Sequence, residues 1–416
     1  MIMNILVILL VGVTAWILAA YGFFSALLHF ACVVVAGAIA FAAWEPIVLL
    51  FLGARMPDYA WGLTLVTVFA VSLFILRLIS VQACPAQVHF STTTNFIGGG
   101  IMGAASGIIT IGIMLLGIQF LQMPSEMLGY RGWKVDERGE VNRPSGTNGN
   151  LWLPVDEWTA IFYDLASRGS MYAPNNLARL HPELAQAASL YSESINGGES
   201  RQGMAPDQVK IVNIIEINGD SLSDPRKFLD DQAKGIERRL QAPGDRYKIV
   251  IIDTEIDNGA TDTGDRLRLT KAQVQLVCRK PRPSGSVYVR LFPHAFIQQY
   301  QSDLAAEGRF LYDGGDLAAT SVGGATSGIR MKFEFIVPQD WVPSHLYVRQ
   351  MRAPMPRTAA TTWTERDLKN LEVAARPPLP GGRGSSKPWL GYVIGLACVV
   401  MVMVVTVQEP KRTHQD

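Results

Sequence analysis

The first 122 residues carry only four charged side chains, Glu45, Arg55, Asp58 and Arg77. The other 69 of the 73 lysines, arginines, aspartates and glutamates lie in the remaining 294 residues. A soluble domain holds roughly a quarter charged residues, so this first segment is not one. The overall charged fraction of 18% is an average over a nearly chargeless segment and a normally charged one. This uneven distribution of charge excludes both a single soluble domain and a protein that is embedded in lipid throughout.

The chargeless segment contains apolar runs long enough to cross a bilayer, which takes about 20 helical residues. Residues 2–52 are apolar for nearly their whole length, which suits two spans with a turn at Gly22. The first run lacks the basic residues of a signal peptide, so we interpret it as a retained span. We predict five spans, at 3–21, 24–46, 60–79, 97–121 and 389–407.

The predicted fourth span contains Gly99, Gly103 and Gly107, which recur every four residues and form a glycine stripe on one helix face. In lipid, small residues at this spacing let helix backbones approach closely. Gly391 and Gly395 repeat the spacing once in the fifth span. A bare G-x-G-x-x-G is also present, but it lacks the preceding strand of a nucleotide site, so helix packing is favoured.

On these residues, the first 122 positions resemble the colicin V production protein (CvpA) family of bacterial inner-membrane proteins. The resemblance is carried by the glycine stripe and by Gly22-Phe23 between the first two spans. Family members usually place basic residues where this chain has Tyr21 and Ser106. The resemblance implies a four-span membrane domain with a role in peptide-toxin export or envelope homeostasis.

The orientation of the spans is weakly encoded, because the positive-inside rule counts lysines and arginines in the loops. Lys411 and Arg412 follow the fifth span and favour a cytoplasmic C-terminus, whereas Arg383 and Lys387 precede it and argue against one. We expect the protein to lie in the bacterial inner membrane, with residues 123–388 on the external, periplasmic side.

The extramembrane part begins with a connector, residues 123–206, in which we predict helices at 157–167 and 182–192. Trp158, Ile161, Phe162 and Leu165 share one face of the first of these helices.

From 207 to 353 the sequence is rich in β-strand patterns, with turn residues at short intervals. The segment from about 245 to 353 suits an immunoglobulin-like β-sandwich, with a small barrel as the alternative. We predict strands at 209–217, 247–256, 266–278, 286–292, 329–337 and 346–350, and a polar helix at 225–240. Beyond them we predict a tether at 354–387 with a helical patch at 364–373, a C-terminal transmembrane helix at 388–408 and a tail at 409–416.

No catalytic motif is present: the sequence lacks a P-loop lysine, G-x-S-x-G, H-E-x-x-H and C-x-x-C. Only Cys278 of the four cysteines lies in the extramembrane part, so no disulfide can form within it. We therefore expect no catalytic residues, no cofactor and a non-enzymatic protein.

Two polar residues in the spans are candidates for function. His29 is either a proton-relay group, since ionisable side chains in lipid are often functional, or a residue at the membrane interface. Arg77 has the same ambiguity, and so does Glu45, because charged side chains near span ends commonly snorkel towards water.

One acidic run, containing Asp253, Glu255 and Asp257, is a weak candidate for a calcium site. Its glycine comes one place late for an EF-hand loop, and Gly264 stands where the loop needs glutamate. A solvated turn between strands is the stronger interpretation, so we predict no metal.

The partners that we expect are the lipid bilayer and either a second copy of the chain or an envelope protein. Nucleic acid is excluded, because a net charge of +1 provides no basic face. Two alternatives to the family-implied role stay open. One is an envelope scaffold or sensor whose β-rich domain binds a partner. The other is a small-solute channel or carrier.

Overall fold

The computed structural model contains four N-terminal helices that are long and apolar enough to cross a membrane. They are α1 (Ile2–Tyr21), α2 (Phe23–Ile47), α3 (Pro57–Ala83) and α4 (Thr92–Gln119). The four predicted N-terminal spans are thus confirmed as helices. The chain turns between α1 and α2 at Gly22, whose φ of 86° lies in the left-handed region that glycine adopts without strain.

The structure describes part of the chain. All of the predicted fifth span except residue 393 lies outside that part, including Gly391 and Gly395, and so do the predicted helix at 225–240 and the tail. The described residues are 2–84, 90–121, 128–130, 132–135, 141–142, 151–169, 176–191, 203–218, 247–261, 266–282, 285–299, 307–311, 317–320, 328–356, 361–363, 367, 372–373 and 393.

The second helix does not end at Glu45 and Pro46, where we predicted its end. It continues through Pro46 to Ile47 and then as a π-helical turn over Val48–Leu52. The backbone N–H of Gly53 closes this turn by donating to the Val48 carbonyl at 2.7 Å. Membrane helices tolerate a proline when neighbouring groups satisfy the freed backbone atoms, which is the physical reason for the difference.

Helix α4 packs against the other three spans. The glycine stripe lies against α1, because a Cβ added at Gly103 would stand 2.8 Å from the Cα of Ala15. At Gly99 the corresponding distance to the Cα of Ala19 is 3.0 Å. At Gly107 it is 3.3 Å to the Cα of Val11. Each glycine therefore occupies a place where the backbones of α1 and α4 touch.

Three shorter helices follow: α5 (Val155–Arg168), α6 (Leu177–Leu180) and α7 (Leu184–Tyr191). Helices α5 and α7 confirm the two helices predicted in the connector. The predicted apolar face of α5, however, points outward rather than into the core, since Ile161 and Leu165 are exposed.

The remaining described chain is rich in β-strands, as predicted. Fifteen strands are present: β1 (Lys134–Val135), β2 (Val141–Asn142), β3 (Val209–Asn218), β4 (Tyr247–Ile256), β5 (Arg266–Leu269), β6 (Val274–Arg282), β7 (Gly285–Leu291), β8 (Ala295–Gln299), β9 (Glu307–Leu311), β10 (Leu317–Thr320), β11 (Ile329–Pro338), β12 (Val342–Val348), β13 (Met351–Pro354), β14 (Thr361–Thr362) and β15 (Glu372–Val373).

The larger sheet has seven strands in the order β14-β3-β4-β11-β8-β9-β15, and a second has four in the order β13-β12-β6-β7. Pairs β5-β10 and β1-β2 form two small sheets. The short edge strands β14 and β15 pair in parallel with their neighbours, whereas the other pairs are antiparallel. The immunoglobulin-like arrangement stays a prediction.

Two predicted elements differ from the structure. The single strand predicted at 266–278 is divided into β5 and β6 by a 3-10 turn, because Thr270 and Gln273 form a reciprocal capping box there. The helical patch predicted at 364–373 ends in strand β15, since Glu372 and Val373 pair with β9 at the sheet edge. Tertiary pairing of this kind overrides local helix propensity.

The largest hydrophobic cluster is continuous from the spans to the sheets. It includes Trp44 of α2, Trp61 of α3 and Phe120 after α4, together with Tyr347 of β12 and Phe335 of β11. The membrane helices and the β-rich region therefore share one core in the described part of the chain.

Candidate functional site

A buried ion pair joins the second membrane helix to the β-rich region. Arg352 of β13 donates to one carboxylate oxygen of Glu45, with Nε 2.8 Å and Nη2 2.7 Å from Oε1. The Glu45 side chain is 5% exposed and that of Arg352 is 24% exposed. Of the two interpretations left open for Glu45, its burial does not favour a side chain that snorkels towards water.

His181 contacts the other oxygen of the same carboxylate, with Nε2 3.2 Å from Oε2. Burial lowers the pKa of His181, although the Glu45 carboxylate opposes this shift. The imidazole is therefore neutral near pH 7, and a proton on Nε2 lets it donate to Glu45. Its other nitrogen, Nδ1, lies 3.2 Å from the Tyr347 hydroxyl.

The carbonyl of Leu180, which ends α6, completes the cluster on the β-rich side. The Tyr347 hydroxyl lies 2.8 Å from this oxygen, and His345 Nε2 lies 3.1 Å from it. Burial lowers the pKa of His345 to about 3, so this second histidine is also neutral. The α6–α7 corner is thereby bound to strand β12 on one side and to Glu45 on the other.

Aromatic rings surround the polar cluster. The His181 ring lies 5.1 Å from Trp44 and 6.2 Å from Trp61, measured between centroids. Trp44 also contacts Phe120 at 5.0 Å, and Tyr191 contacts Tyr347 at 5.5 Å. A shell of this kind excludes water, and a low local dielectric strengthens each polar contact while raising the cost of losing one.

A second polar network lies where α4 ends. The Tyr130 hydroxyl donates to Asp156 Oδ2 at 2.8 Å, and the Gln119 amide donates to the same oxygen at 3.1 Å. Asp156 belongs to α5 and is fully buried. Nearby, the Trp152 backbone N–H donates to Asn4 of α1 at 2.7 Å. These bonds fasten the start of α5 to the first and fourth membrane helices.

The two predicted intramembrane candidates lie apart from this junction. His29 of α2 is buried inside the protein at 1% exposure, and its two interpretations, proton relay and interface residue, stay predictions. Arg77 of α3 is its charged neighbour, and the Arg77 guanidinium donates to Ser25 at 3.3 Å. Within the described residues, His29 Nε2 has no hydrogen-bond partner.

The three carboxylates of the weak metal candidate do not converge on one point. Asp253 accepts two hydrogen bonds from Arg330, at 3.1 and 2.7 Å. Asp257 caps a short 3-10 turn by accepting from the Gly259 N–H at 2.7 Å. Glu255 is exposed on β4. No group of three or more metal-ligating side chains occurs among the residues that the structure describes.

The family-matching turn residues lie at the opposite end of the bundle from the junction. The Phe23 ring packs edge-on against Phe90 at 5.5 Å, and the Phe23 N–H lies 3.4 Å from the Asn95 side-chain oxygen. Gly22 and Phe23 thus join the start of α2 to the start of α4.

The sequence signal for the junction is the isolated charge itself. Glu45 is the only acidic residue before position 58, and a carboxylate in a nearly chargeless segment requires a partner. No local sequence pattern identifies Arg352 or His181 as that partner.

The junction holds β13 and the α6–α7 corner against α2 through a closed set of polar contacts. No protein-family model, curated protein or solved structure matches the chain.

Proposed function

We propose that this chain is a non-enzymatic, multi-pass membrane protein that acts as an envelope scaffold or sensor. In this proposal the β-rich domain binds a partner and the spans hold that domain in a fixed position. The observation that supports it best is the Glu45–Arg352 pair, because it joins a membrane helix to a strand inside a common hydrophobic core.

A rigid junction suits a scaffold better than a flexible anchor. An anchor needs only a span and a tether, whereas here Glu45, His181 and Arg352 are ordered together by charged hydrogen bonds. Removing one member of such a buried set costs about 3–5 kcal/mol, because the remaining charge is left unpaired. We infer that these contacts hold the domain in one orientation relative to the spans.

We also propose a location and a topology for the protein in the cell. We place the protein in the bacterial inner membrane, with the β-rich domain on the external side, an immunoglobulin-like sandwich within it and a fifth span at 389–407. The resemblance to the colicin V production family leads us to propose that the partner belongs to peptide-toxin export or to envelope homeostasis.

A small-solute carrier is the second candidate, and one observation favours it. His29 is a buried, ionisable residue of a predicted span, six residues after the start of α2, with Arg77 as its charged neighbour. Buried ionisable groups in lipid commonly mark proton or ion pathways.

Complementation separates the two candidates. In cells that lack the chain, the scaffold proposal expects Arg352→Met to fail to rescue envelope integrity even when its expression is raised until the amount of inserted protein equals that of the parent. It expects His29→Gln to restore rescue. Lys280→Met is the control, because Lys280 pairs with Asp340 on the surface. The reverse pattern, together with solute flux in liposomes that His29→Gln removes, would favour the carrier.

Protease accessibility tests on which side of the membrane the β-rich domain lies. Protease added to intact cells with a permeabilised outer membrane should cleave at 138–150. Cleavage in inverted inner-membrane vesicles alone would contradict the external placement of the domain.

A further inference from the structure

The polar face of helix α5 packs against the membrane helices α4 and α2. The Thr159 hydroxyl of α5 lies 3.4 Å from the carbonyl of Ile108 in α4. The Tyr163 hydroxyl donates to the carbonyl of Val34 in α2 at 3.0 Å. Each of these side chains occupies a space that a glycine leaves open, Gly112 for Thr159 and Gly37 for Tyr163, since an added Cβ would collide with it.

The positions of these contacts give the depth of α5. Gly112 and Ile108 lie seven and eleven residues before the end of α4 at Gln119, which is about 10 and 16 Å along a helix. The predicted span 97–121 includes both residues, so these contacts lie inside the hydrocarbon core.

The opposite face of α5 is apolar and uncovered. Its exposed side chains follow helical spacing and are Trp158, Ile161, Phe162 and Leu165. The charged residues Asp164 and Arg168 pair with each other at 2.6 Å near the end of the helix. A helix of a soluble connector would turn this apolar face inward and the polar face outward.

We propose that α5 lies in the bilayer as a re-entrant interfacial helix whose outer face contacts lipid acyl chains. The inference rests on the four spans lying in a membrane and does not depend on the scaffold role. It changes the organisation of the connector, because part of residues 123–206 then belongs to the membrane domain.

Lipid is the occupant that the surrounding surface favours. The start of α5 shares a hydrophobic cluster with the first half of α1, in which Val155 and Leu151 pack with Val7. The outer side of that same part of α1 exposes Ile5, Ile8 and Leu9. The start of α5 therefore packs against a predicted span whose outer side is apolar. Trp158 belongs to the same exposed face, and tryptophan is favoured at membrane interfaces.

Spin-label accessibility in liposomes tests this proposal on the full chain. A nitroxide is attached to Ile161→Cys or Leu165→Cys in a background with the four native cysteines changed to alanine. Collision rates are then measured with oxygen, which concentrates in lipid, and with a water-soluble nickel chelate. We expect an oxygen-to-nickel ratio at both positions several-fold higher than at Val212→Cys, an exposed valine on β3.

The remaining outcomes overturn the proposal. A ratio equal to that of Val212 would mean that the face contacts water, and low collision rates with both reagents would mean that protein covers it. Leu9→Cys on α1 is the lipid reference. If Leu9 reports lipid while Ile161 and Leu165 report water, the inference about α5 fails and the membrane placement of the spans stands. If Leu9 also reports water, the membrane placement itself fails.

Discussion

The carboxylate of Glu45 and the guanidinium of Arg352 are hydrogen-bonded to each other at 2.7–2.8 Å although 307 positions separate them in the chain. The first belongs to a predicted membrane span and the second to a strand of the four-stranded sheet. This charged pair, with the aromatic shell around it, is one of the contacts that join the membrane and extramembrane parts.

Removing Arg352 should destabilise the protein strongly. Arg352→Met leaves the Glu45 carboxylate buried with only the neutral His181 beside it, so we expect a loss of about 3–5 kcal/mol in the free energy of unfolding. Denaturant titration in detergent micelles measures it. Lys280→Met should change stability by less than about 1 kcal/mol, because surface pairs contribute little. Replacing both Glu45 and Arg352 by methionine should cost less than Arg352→Met alone, and a cost at least as large would refute this account.

The contact between α1 and α4 should not accept a side chain at Gly103. Gly103→Ala places a methyl group 2.8 Å from the Cα of Ala15, and we expect a loss of about 1–3 kcal/mol from overpacking. Gly12→Ala is the matched control, because nothing lies within 4 Å of the added Cβ. That change should be neutral or stabilise by up to about 1 kcal/mol, since alanine favours helices. Equal effects of the two variants in unfolding titrations would exclude close packing at Gly103.

Stability should fall as the pH is lowered from 7 to 5. Burial lowers the pKa of His345 to about 3 and also lowers that of His181, whereas both titrate near 6.5 when unfolded. Below about pH 6.5 the unfolded chain therefore binds protons that the folded chain does not bind. The stabilisation is fully present above about pH 6.5 and is lost progressively as the pH falls towards the pKa values of the folded state.

Thermal unfolding midpoints across pH 5–8 test that dependence. The charged and titratable groups around His345 are Arg352, His181 and Glu45, and Glu45 adds nothing in this window if it remains ionised. His345→Gln should make the curve flatter. A midpoint that is constant between pH 5 and 7 in the parent protein would show that neither histidine is kept neutral by burial.

Cysteine reactivity should differ sharply between Cys84 and Cys278. Cys84 is exposed after α3, whereas Cys278 is buried in β6 and burial raises the pKa of its thiol. Since the thiolate is the reactive form, a maleimide at pH 7.5 should label Cys84 within minutes and leave Cys278 unlabelled until the protein unfolds. Peptide mass spectrometry assigns the label to each residue. Rapid labelling of native Cys278 would mean that β6 is not in the core.

Local sequence patterns were sufficient for the spans and for most long strands. The run from Ile2 to Tyr21 and the strand Tyr247–Ile256 carry their own hydrophobic signals, and the structure has both. Short strands such as β8 and β9 were not predicted, because five residues carry too little alternation to be distinguished from loops. The division of β5 from β6 could have been found, since the Thr270-x-x-Gln273 spacing is a capping-box signature.

The junction could not be predicted in the same way, for a physical reason. Glu45 stood out because charge is scarce around it, but its partners come from the α6–α7 corner and from β13. Such contacts are created by the packing of sheets on helices, which periodicity does not encode. The same holds for α5: its apolar face was evident from Trp158 to Leu165, but its surroundings depend on Thr159 and Tyr163 fitting beside glycines of other helices.

The 307-residue separation of Glu45 and Arg352 also sets an order of events during synthesis. Ribosomes add about 5–20 residues per second, so Arg352 is made roughly 15–60 seconds after Glu45. Throughout that interval the second helix carries a carboxylate whose final counter-charge does not yet exist. The nascent helix bundle must therefore be held in a state that keeps Glu45 hydrated or otherwise paired, and its last assembly step awaits the translation of β13.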